Sequence, residues 1–208
     1  MKNLIIITGC PGTGKSFWAK LVCQRFPQIA VLSYDALKEA FWDQYGFRNN
    51  EEKTALNEAS LQEFYQRLDR RMAMGEDILI EYPFNKRHAP NLQRLIDAHG
   101  YRALTLYLYG DMRAIYSRGQ KRDGDGGRHP GHLLSCYHKG ETPSPQAADA
   151  QTKLTLEQFI DSCQRKNYDI RLGYNLPVDV TDFHAIDYEM VLNQIAEYCR
   201  FKTPEDAR

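Results

Sequence analysis

The chain has 208 residues, enough for one α/β domain with a sizeable core, and its 27 basic and 27 acidic side chains give a formal net charge of zero. That balance gives no reason to expect general attraction to nucleic acid or to an anionic membrane, and no apolar stretch reaches the roughly 20 residues of a membrane span. The five cysteines are scattered, and the first strand starts too early to leave room for a signal peptide. We therefore expect a cytoplasmic protein with reduced cysteines.

The chain opens with an apolar strand over Lys2–Thr8, a glycine-rich loop and a helix over Ser16–Phe26. The loop fits G-x-x-x-x-G-K-[ST], the Walker A phosphate loop, in which glycines let backbone N–H groups turn toward phosphate oxygens. Its lysine can reach the β and γ phosphates of ATP, and Ser16 can ligate Mg²⁺. The predicted nucleotide-binding residues of this loop are Gly9, Cys10, Pro11, Gly12, Thr13, Gly14, Lys15 and Ser16.

Strands and helices then alternate along the chain. The predicted strands are Ile29–Tyr34, Asp77–Glu81, Tyr101–Tyr109 and Pro177–Thr181, and the predicted helices are Ala36–Gln44, 50–74, Pro90–His99, Asp111–Arg122, Leu154–Lys166 and Asp187–Phe201. This alternation predicts one α/β domain over residues 1–208, with a parallel sheet covered on both faces. Ligands of such sheets bind at the carboxyl ends of the strands.

The segment from Gly119 to Ala150 differs in composition from the rest of the chain. It is rich in Gly, Pro, His, Arg and Asp and contains Pro143-Ser144-Pro145, which predicts a mobile lid rather than a linker between domains. Four of its side chains could be drawn into a zinc site, but their spacing fits no finger or ribbon, so we expect them to contact substrate or pack the lid. These side chains are His129, His132, Cys136 and His138.

Two acidic residues fall at the ends of predicted strands. Asp35 follows the second strand, where its carboxylate can accept a hydrogen bond from a hydroxyl that attacks the γ phosphate. A helix N-cap is the alternative role for Asp35. Glu81 ends the third strand, where it can orient a water on Mg²⁺ or grip the substrate, unless it is simply a solvated strand end.

Arginines at the start of the lid are candidates for contact with the nucleotide. Arg118 and Arg122 lie four residues apart on one helical face, and an arginine aimed at the γ phosphate stabilises the charge of the transition state. The alternative is a solvated helix end, where cations are favoured. Arg128 is a further candidate inside the lid. After the fifth strand, Asp182 and Phe183 can contact the adenine, or they form an ordinary loop with Phe183 in the core.

With these residues in place, the chain resembles the small P-loop kinases grouped with zeta toxins, chloramphenicol phosphotransferase and polynucleotide kinase. The residues that carry the resemblance are the loop Gly9–Ser16, Ser33-Tyr34-Asp35, Glu81, Arg118 and Arg122. It implies an AAA-type ATP-binding domain with the three-layer, nucleoside-kinase-like P-loop NTPase fold, strand order 2-3-1-4-5 and an inserted lid. By this resemblance ATP–Mg²⁺ is the donor, Asp35 accepts the proton, and Lys15 and Arg122 stabilise charge. Relatives often carry an arginine where this chain has Lys38, and lysine cannot grip a phosphate with two parallel hydrogen bonds.

We predict an ATP-dependent phosphotransferase that moves the γ-phosphoryl group to a hydroxyl of a small molecule, such as a nucleoside, sugar or antibiotic. The predicted catalytic residues are Lys15, Asp35, Arg118 and Arg122, and the predicted substrate-binding residues are Asp35, Lys38, Glu81 and Arg128. One alternative is a kinase of the 5′-hydroxyl of DNA or RNA, which the cluster Lys121, Arg122, Arg128 and Lys139 permits. The other is a nucleotide-gated switch or an ATPase without a small-molecule acceptor. The sequence leaves the acceptor, the donor base and the oligomeric state open.

Overall fold

The computed structural model describes residues 2–126, 128–142 and 154–201. In that part of the chain, parallel strands form one sheet in the order β2-β3-β1-β4-β5, which confirms the predicted α/β class and strand order. The strands are β1 (Asn3–Gly9), β2 (Ala30–Ser33), β3 (Ile78–Glu81), β4 (Arg102–Tyr109) and β5 (Tyr174–Asp179). The helices are α1 (Lys15–Arg25), α2 (Tyr34–Tyr45), α3 (Asn50–Ala73), α4 (Ala89–His99), α5 (Met112–Gly124), α6 (Leu156–Lys166) and α7 (Tyr188–Cys199).

The central strand β1 is buried on both of its faces. Leu4 and Ile6 belong to an apolar cluster with side chains of α2, α3 and α4, whereas Ile5 and Ile7 belong to a second cluster with side chains of α1 and α7. A strand covered on both faces needs apolar residues at every position, which explains the uninterrupted apolar run in the sequence. The sheet is therefore the middle layer of three.

The edge strand β5 starts three residues earlier than predicted and ends two residues earlier. It pairs with β4 from Tyr174 onward, and Pro177 lies opposite Tyr107 in this ladder. The prediction started the strand at Pro177, whereas pairing with β4 extends it to Tyr174. A proline is tolerated here because β5 lies at the edge of the sheet.

The lid was predicted to begin at Gly119, but Gly119–Gly124 continues α5 as regular helix, so any lid begins after Gly124. Residues 128–142, here called the docked segment, contain a 3₁₀ turn at Pro130–His132 and lie against α2 and the loop after it. The rest of the predicted lid, including Pro143-Ser144-Pro145, lies outside the described residues.

Asp43 of α2 holds much of the docked segment. Its carboxylate accepts hydrogen bonds from Tyr137 Oη at 2.6 Å and Lys139 Nζ at 2.7 Å, and its Oδ1 lies 3.0 Å from His129 Nε2. The backbones of Phe47 and Tyr137 also exchange two hydrogen bonds, of 2.8 and 2.7 Å. The predicted lid is thus anchored, over this part, to the helix that carries Asp35.

The histidines of the docked segment pair with carboxylates. His132 Nε2 lies 2.8 Å from Glu39 Oε1, and His129 pairs with Asp43. Over the described residues, no group of three or more His, Cys, Asp and Glu side chains is arranged to hold a metal ion. His129 and His132 therefore help to pack the docked segment against α2, and His132 also lines the cavity described below.

None of the described helices combines the length and the apolar character needed to cross a bilayer.

All five cysteines are free thiols. The Cys10 thiol in the phosphate loop is hydrogen-bonded to Cys163 of α6, and this contact lowers the pKa of Cys10.

Candidate active site

The phosphate loop connects the end of β1 to the start of α1. Gly12 and Gly14 have φ angles of +92° and +83°, a left-handed backbone that residues with a Cβ rarely adopt. A Cβ on Gly14 would lie 2.7 Å from Cζ of Phe183, so a larger residue would also collide. Gly14 is the N-cap of α1 and offers no side-chain cap, which leaves the first N–H groups of α1 available to an anion. The loop therefore has the cradle shape that the Walker A motif predicts.

Lys15 is the first residue of α1 and is buried. Its Nζ donates hydrogen bonds to the backbone oxygens of Gly9 at 3.1 Å and Cys10 at 2.9 Å. Burial lowers the pKa of Lys15 to about 8, although the carboxylates of Glu81 and Asp35 oppose the shift. Its ammonium group is therefore mostly charged at neutral pH and lies beside the cradle.

Glu81 lies between two hydroxyl groups at the end of β3. Its carboxylate accepts hydrogen bonds from Ser33 Oγ at 3.0 Å and Ser16 Oγ at 3.4 Å, and strand pairing places it opposite Ile7 of β1. Only 6% of the residue is exposed, so the alternative of a solvated strand end is wrong. Burial, reinforced by the charge of Asp35, raises the pKa of Glu81. A carboxylate beside the predicted metal-binding hydroxyl is suited to Mg²⁺ and its waters.

Asp35 lies in the first turn of α2, which begins two residues earlier than predicted. The N-cap of α2 is Ser33, whose Oγ accepts the N–H of Ala36 at 3.3 Å, so the alternative of an Asp35 cap is wrong. Asp35 lines a cavity instead, and its Oδ1 pairs with Lys38 Nζ at 2.8 Å.

Lys38 is enclosed by aromatic rings. Its Nζ lies 4.8 Å from the ring centre of Tyr82, 5.3 Å from that of Tyr34 and 5.4 Å from that of Trp42. Such cation–π contacts favour a charged ammonium group in a partly dry environment. Lys38 was predicted to bind substrate, and the structure places its ammonium group on Asp35.

Arg118 of α5 lies beside the phosphate loop. It donates hydrogen bonds to the backbone oxygens of Gly12 at 3.3 Å and Thr181 at 3.1 Å, and its guanidinium carbon lies 4.8 Å from the ring centre of Phe183. Its Nη2 is buried and has no hydrogen-bond partner among the described residues. A guanidinium over an aromatic ring beside the loop fits the predicted cofactor-binding role of Arg118 better than the predicted catalytic role.

Arg122 and Arg128 meet at a shared carboxylate. Arg122 Nε donates to Asp123 Oδ1 at 2.9 Å, and Arg128 Nη1 donates to the same atom at 2.6 Å. Arg122 is also near enough to Lys15 for its charge to help lower the pKa of that lysine. The charge of Arg122 therefore acts on Lys15, the residue predicted to reach the β and γ phosphates.

The two residues predicted to contact adenine are in different situations. The Asp182 carboxylate accepts the N–H of His184 at 2.9 Å and so caps a 3₁₀ turn at Phe183–Ala185. Phe183 lines the cavity, and its ring packs edge-on against Phe17 with 5.7 Å between ring centres. An aromatic face is thus present at the predicted base site, whereas the Asp182 side chain is engaged in its own turn.

A cavity of about 1220 Å³ at the carboxyl ends of the strands joins these features. Sites for one drug-sized ligand measure roughly 300–1000 Å³, so this cavity has room for a nucleotide and an acceptor together. The predicted site residues that line it are Pro11, Gly12, Gly14, Lys15, Ser16, Asp35, Lys38, Glu81, Arg118, Arg122, Arg128 and Phe183. Those that do not are Gly9, Cys10, Thr13 and Asp182.

Aromatic side chains on the Asp35 side of the cavity were missed from the sequence. Trp42 and Tyr82 lie beside Lys38 on this side, and Tyr168 lines the cavity near Cys10 and Cys163. Asp35, Lys38 and Trp42 recur at spacings of three and four, which places them on one face of α2, so this signal was available for Trp42. Tyr168 follows α6, and no local pattern indicates that it reaches the cavity.

The AAA domain family matches residues 4–134, which is more than half of the chain and includes the phosphate loop, Asp35, Glu81, Arg118 and Arg122. A search of curated proteins finds no match.

Several solved structures share the fold over nearly the whole chain. A protein of Chloroflexus aurantiacus with a provisional kinase assignment is 22% identical, with 95% of this chain and 98% of that chain covered and a TM-score of 0.74. A gluconokinase from Sinorhizobium meliloti is 16% identical, with coverage of 95% and 94% and a TM-score of 0.57. The tunicamycin resistance protein of Deinococcus radiodurans is 14% identical, with coverage of 98% and 98% and a TM-score of 0.57.

These structural matches confirm the fold that the sequence resemblance implied, and the family match covers the motifs on which that resemblance rests. The chain belongs to the AAA domain family and has the fold of the small P-loop kinases.

Proposed function

We propose that this protein is an ATP-dependent phosphotransferase that phosphorylates a hydroxyl group of a small molecule. The observation that carries the proposal is the position of Asp35. It lines the same cavity as the phosphate loop and is near enough to Lys15 and Glu81 for its charge to influence the pKa of both. A carboxylate placed there can accept a hydrogen bond from an attacking hydroxyl.

The residues of the cradle fit ATP and Mg²⁺. The loop has open N–H groups, and there is no space for a Cβ at Gly14. Ser16 and Glu81 present hard oxygen atoms. Arg118 has a buried nitrogen without a partner in the described chain. Bound there, ATP–Mg²⁺ supplies the phosphoryl group to be transferred. Lys15 would neutralise phosphate charge, and Ser16 would hold the metal with Glu81 beside it.

Other residues complete the proposed site. Arg118 and Phe183 would hold the base, because the Arg118 guanidinium lies over the Phe183 ring beside Gly12 and Gly14. Arg122 would exchange its contact with Asp123 for the transferring phosphoryl group, where a guanidinium stabilises spread negative charge. Asp35 would orient the acceptor hydroxyl.

A small acceptor is favoured over a nucleic-acid 5′ end. Three of the four cations predicted to track a polynucleotide are already paired, since Arg122 and Arg128 contact Asp123, and Lys139 contacts Asp43. The gluconokinase and the tunicamycin resistance protein with this fold support a small acceptor through their names alone. The acceptor side of the cavity is walled by aromatic rings, which suit a compact molecule.

The test is transfer of label from γ-labelled ATP with Mg²⁺ to a panel of sugars, nucleosides, antibiotics and 5′-hydroxyl oligonucleotides. Lys15→Ala should abolish transfer, because the buried ammonium group is lost. Asp35→Asn should keep ATP affinity close to that of the wild type while turnover falls about 100-fold or more. Asp97→Asn, on the exposed face of α4, is the matched control and should keep wild-type turnover.

Each other outcome has a distinct meaning. Unchanged turnover of Asp35→Asn would refute the assigned role of that carboxylate. Transfer to oligonucleotides, with binding that falls steeply as salt rises, would favour the 5′-hydroxyl kinase. Steady hydrolysis of ATP without a labelled acceptor would favour an ATPase or a switch. We further propose a cytoplasmic location, which the free thiols and the use of ATP support.

A further inference from the structure

We propose that Lys38 is a positioning residue: its ammonium group holds Asp35 so that the free carboxylate oxygen faces the acceptor, and Lys38 itself does not contact the acceptor. The role given to Asp35 rests on the proposed function, whereas the contact between the two side chains does not.

The Asp35 and Lys38 side chains are in direct contact but differ in how far each is exposed. Asp35 Oδ1 lies 2.8 Å from Lys38 Nζ, across one turn of α2. The Asp35 side chain is 36% exposed toward the cavity, but only 10% of the Lys38 side chain is exposed. Within the described chain, Asp35 Oδ2 accepts no hydrogen bond. One oxygen is therefore fixed by the lysine, and the other is available to a hydroxyl.

The aromatic cage makes this pairing rigid. The three rings around Lys38 Nζ come from Tyr34 and Trp42 of α2 and from Tyr82, which directly follows β3. Two of the rings are anchored on Asn57 of α3, because Tyr34 Oη donates to its backbone oxygen at 2.8 Å and Trp42 Nε1 donates to its Oδ1 at 3.1 Å. Lys38 consequently has little freedom to leave Asp35 for a ligand.

The pairing with Lys38 suits Asp35 to orienting the acceptor hydroxyl rather than to acting as a strong base. A carboxylate bonded to an ammonium group is a weak base, but transfer of a phosphoryl group through a loose transition state places little demand on base strength. What it requires is an aligned hydroxyl, and a fixed oxygen provides that alignment. Under this proposal, Lys38 acts on the acceptor only through Asp35.

Several other titratable groups surround the pair of Asp35 and Lys38 and must be counted in any titration. They are Lys15 of α1, Tyr34 of α2, Glu81 of β3, Tyr82 after β3 and His132 of the docked segment. Burial by itself raises the pKa of Asp35, and the charges of Lys38, His132 and Lys15 outweigh it, so the pKa lies below its usual value. Lys38 is the group among them that makes the direct contact.

The test is a pH titration of the Asp35 carboxyl carbon by ¹³C NMR, with the Asp35 resonance assigned from its loss in Asp35→Asn. Lys38→Met keeps the bulk of the side chain among the rings and removes the charge. We expect the pKa of Asp35 to rise by about one to three pH units in this variant, and Lys38→Arg to restore a low value. Lys53→Met is the matched control, because Lys53 Nζ also lies over the Trp42 ring, at 5.9 Å, and should leave the titration unchanged.

A reciprocal measurement does not depend on the stability of Lys38→Met. In Asp35→Asn, the ¹³Cε resonance of Lys38 should titrate at a lower pH than in the wild type, because the ammonium group has lost its counter-charge. An unchanged Asp35 titration in Lys38→Met, or an unchanged Lys38 titration in Asp35→Asn, would overturn the inference. Both measurements are made without nucleotide. Absence of phosphoryl transfer together with a coupled titration would therefore refute the proposed function and leave the pairing intact.

Discussion

The substitution Asp43→Asn should release the docked segment from α2. The wild-type carboxylate is contacted by Tyr137 Oη, Lys139 Nζ and His129 Nε2 at 2.6–3.0 Å, and 29% of its side chain is exposed. Hydrogen bonds to a charged group contribute about 1.5–3 kcal/mol each, but exposed pairs such as that with Lys139 contribute about 1 kcal/mol or less. An asparagine retains part of the hydrogen bonding, so we expect a net loss of about 2 kcal/mol for opening of the segment.

The assay is amide hydrogen exchange over residues 128–142. A loss of about 2 kcal/mol corresponds to exchange about 30-fold faster in Asp43→Asn than in the wild type at neutral pH. The contacts with Lys139, Tyr137 and His129 hold the pKa of Asp43 well below its usual value of 3.8. The stabilisation is therefore fully present above pH 3.8 and is lost as the pH falls toward the lowered pKa, so the difference between the two proteins should shrink in acid.

A matched control separates loss of charge from loss of docking. Glu63 of α3 accepts hydrogen bonds from Arg67 and Arg70 within its own helix, at 2.7 and 3.2 Å. Glu63→Gln removes a carboxylate with two cationic partners but does not touch the docked segment, so exchange over residues 128–142 should stay at the wild-type rate. Equal exchange in the wild type and Asp43→Asn would refute the view that this carboxylate anchors the segment.

The remaining predictions concern the phosphate loop. Gly14→Ala should weaken ATP binding at least tenfold in calorimetry and cost about 1–2 kcal/mol of stability, because a Cβ at this φ is strained and meets the Phe183 ring at 2.7 Å. Glu81→Gln should raise the Mg²⁺ concentration needed for ATP binding about tenfold. Burial and Asp35 raise the pKa of the folded Glu81, so the wild-type free energy of unfolding should fall as pH rises above 4.5. Urea unfolding should show that Glu81→Gln removes this fall. The folded pKa of Lys15 is lowered to about 8, so the wild-type free energy of unfolding should rise by up to about 1.4 kcal/mol per pH unit between pH 8 and 10.5. Lys15→Met should remove this rise in the same urea experiments.

Much of the fold was predictable because it depends on local patterns. The uninterrupted apolar run of β1 indicated a strand buried on both faces, and the regular alternation of elements indicated the parallel sheet. The phosphate loop was identified because its function requires particular residue types at fixed spacings. The N-cap of α2 also had a local signal, since Ser33 stands three residues before Ala36. The sequence analysis instead considered Asp35 as the possible N-cap.

The parts that were not predicted depend on contacts between residues distant in sequence. Asp43 and Lys139 are 96 residues apart, and no local periodicity encodes their pairing. The difference in contacts between Arg118 and Arg122 has the same origin, because it depends on Phe183 and Thr181 meeting α5 from another part of the chain. The sequence places both arginines on one helical face, and only the tertiary structure shows which partners each one finds.

The two borders of the sheet give the molecule a particular kind of surface. β2 is only four residues long, and Pro177 removes a backbone donor from the middle of β5. Short borders and prolines hinder another chain from adding itself as a sixth strand, which is a common route to amyloid-like stacking. Self-association of this protein, where it occurs, should therefore run through helical surfaces, and infrared spectra of concentrated solutions should show no growth of the intermolecular β-sheet band.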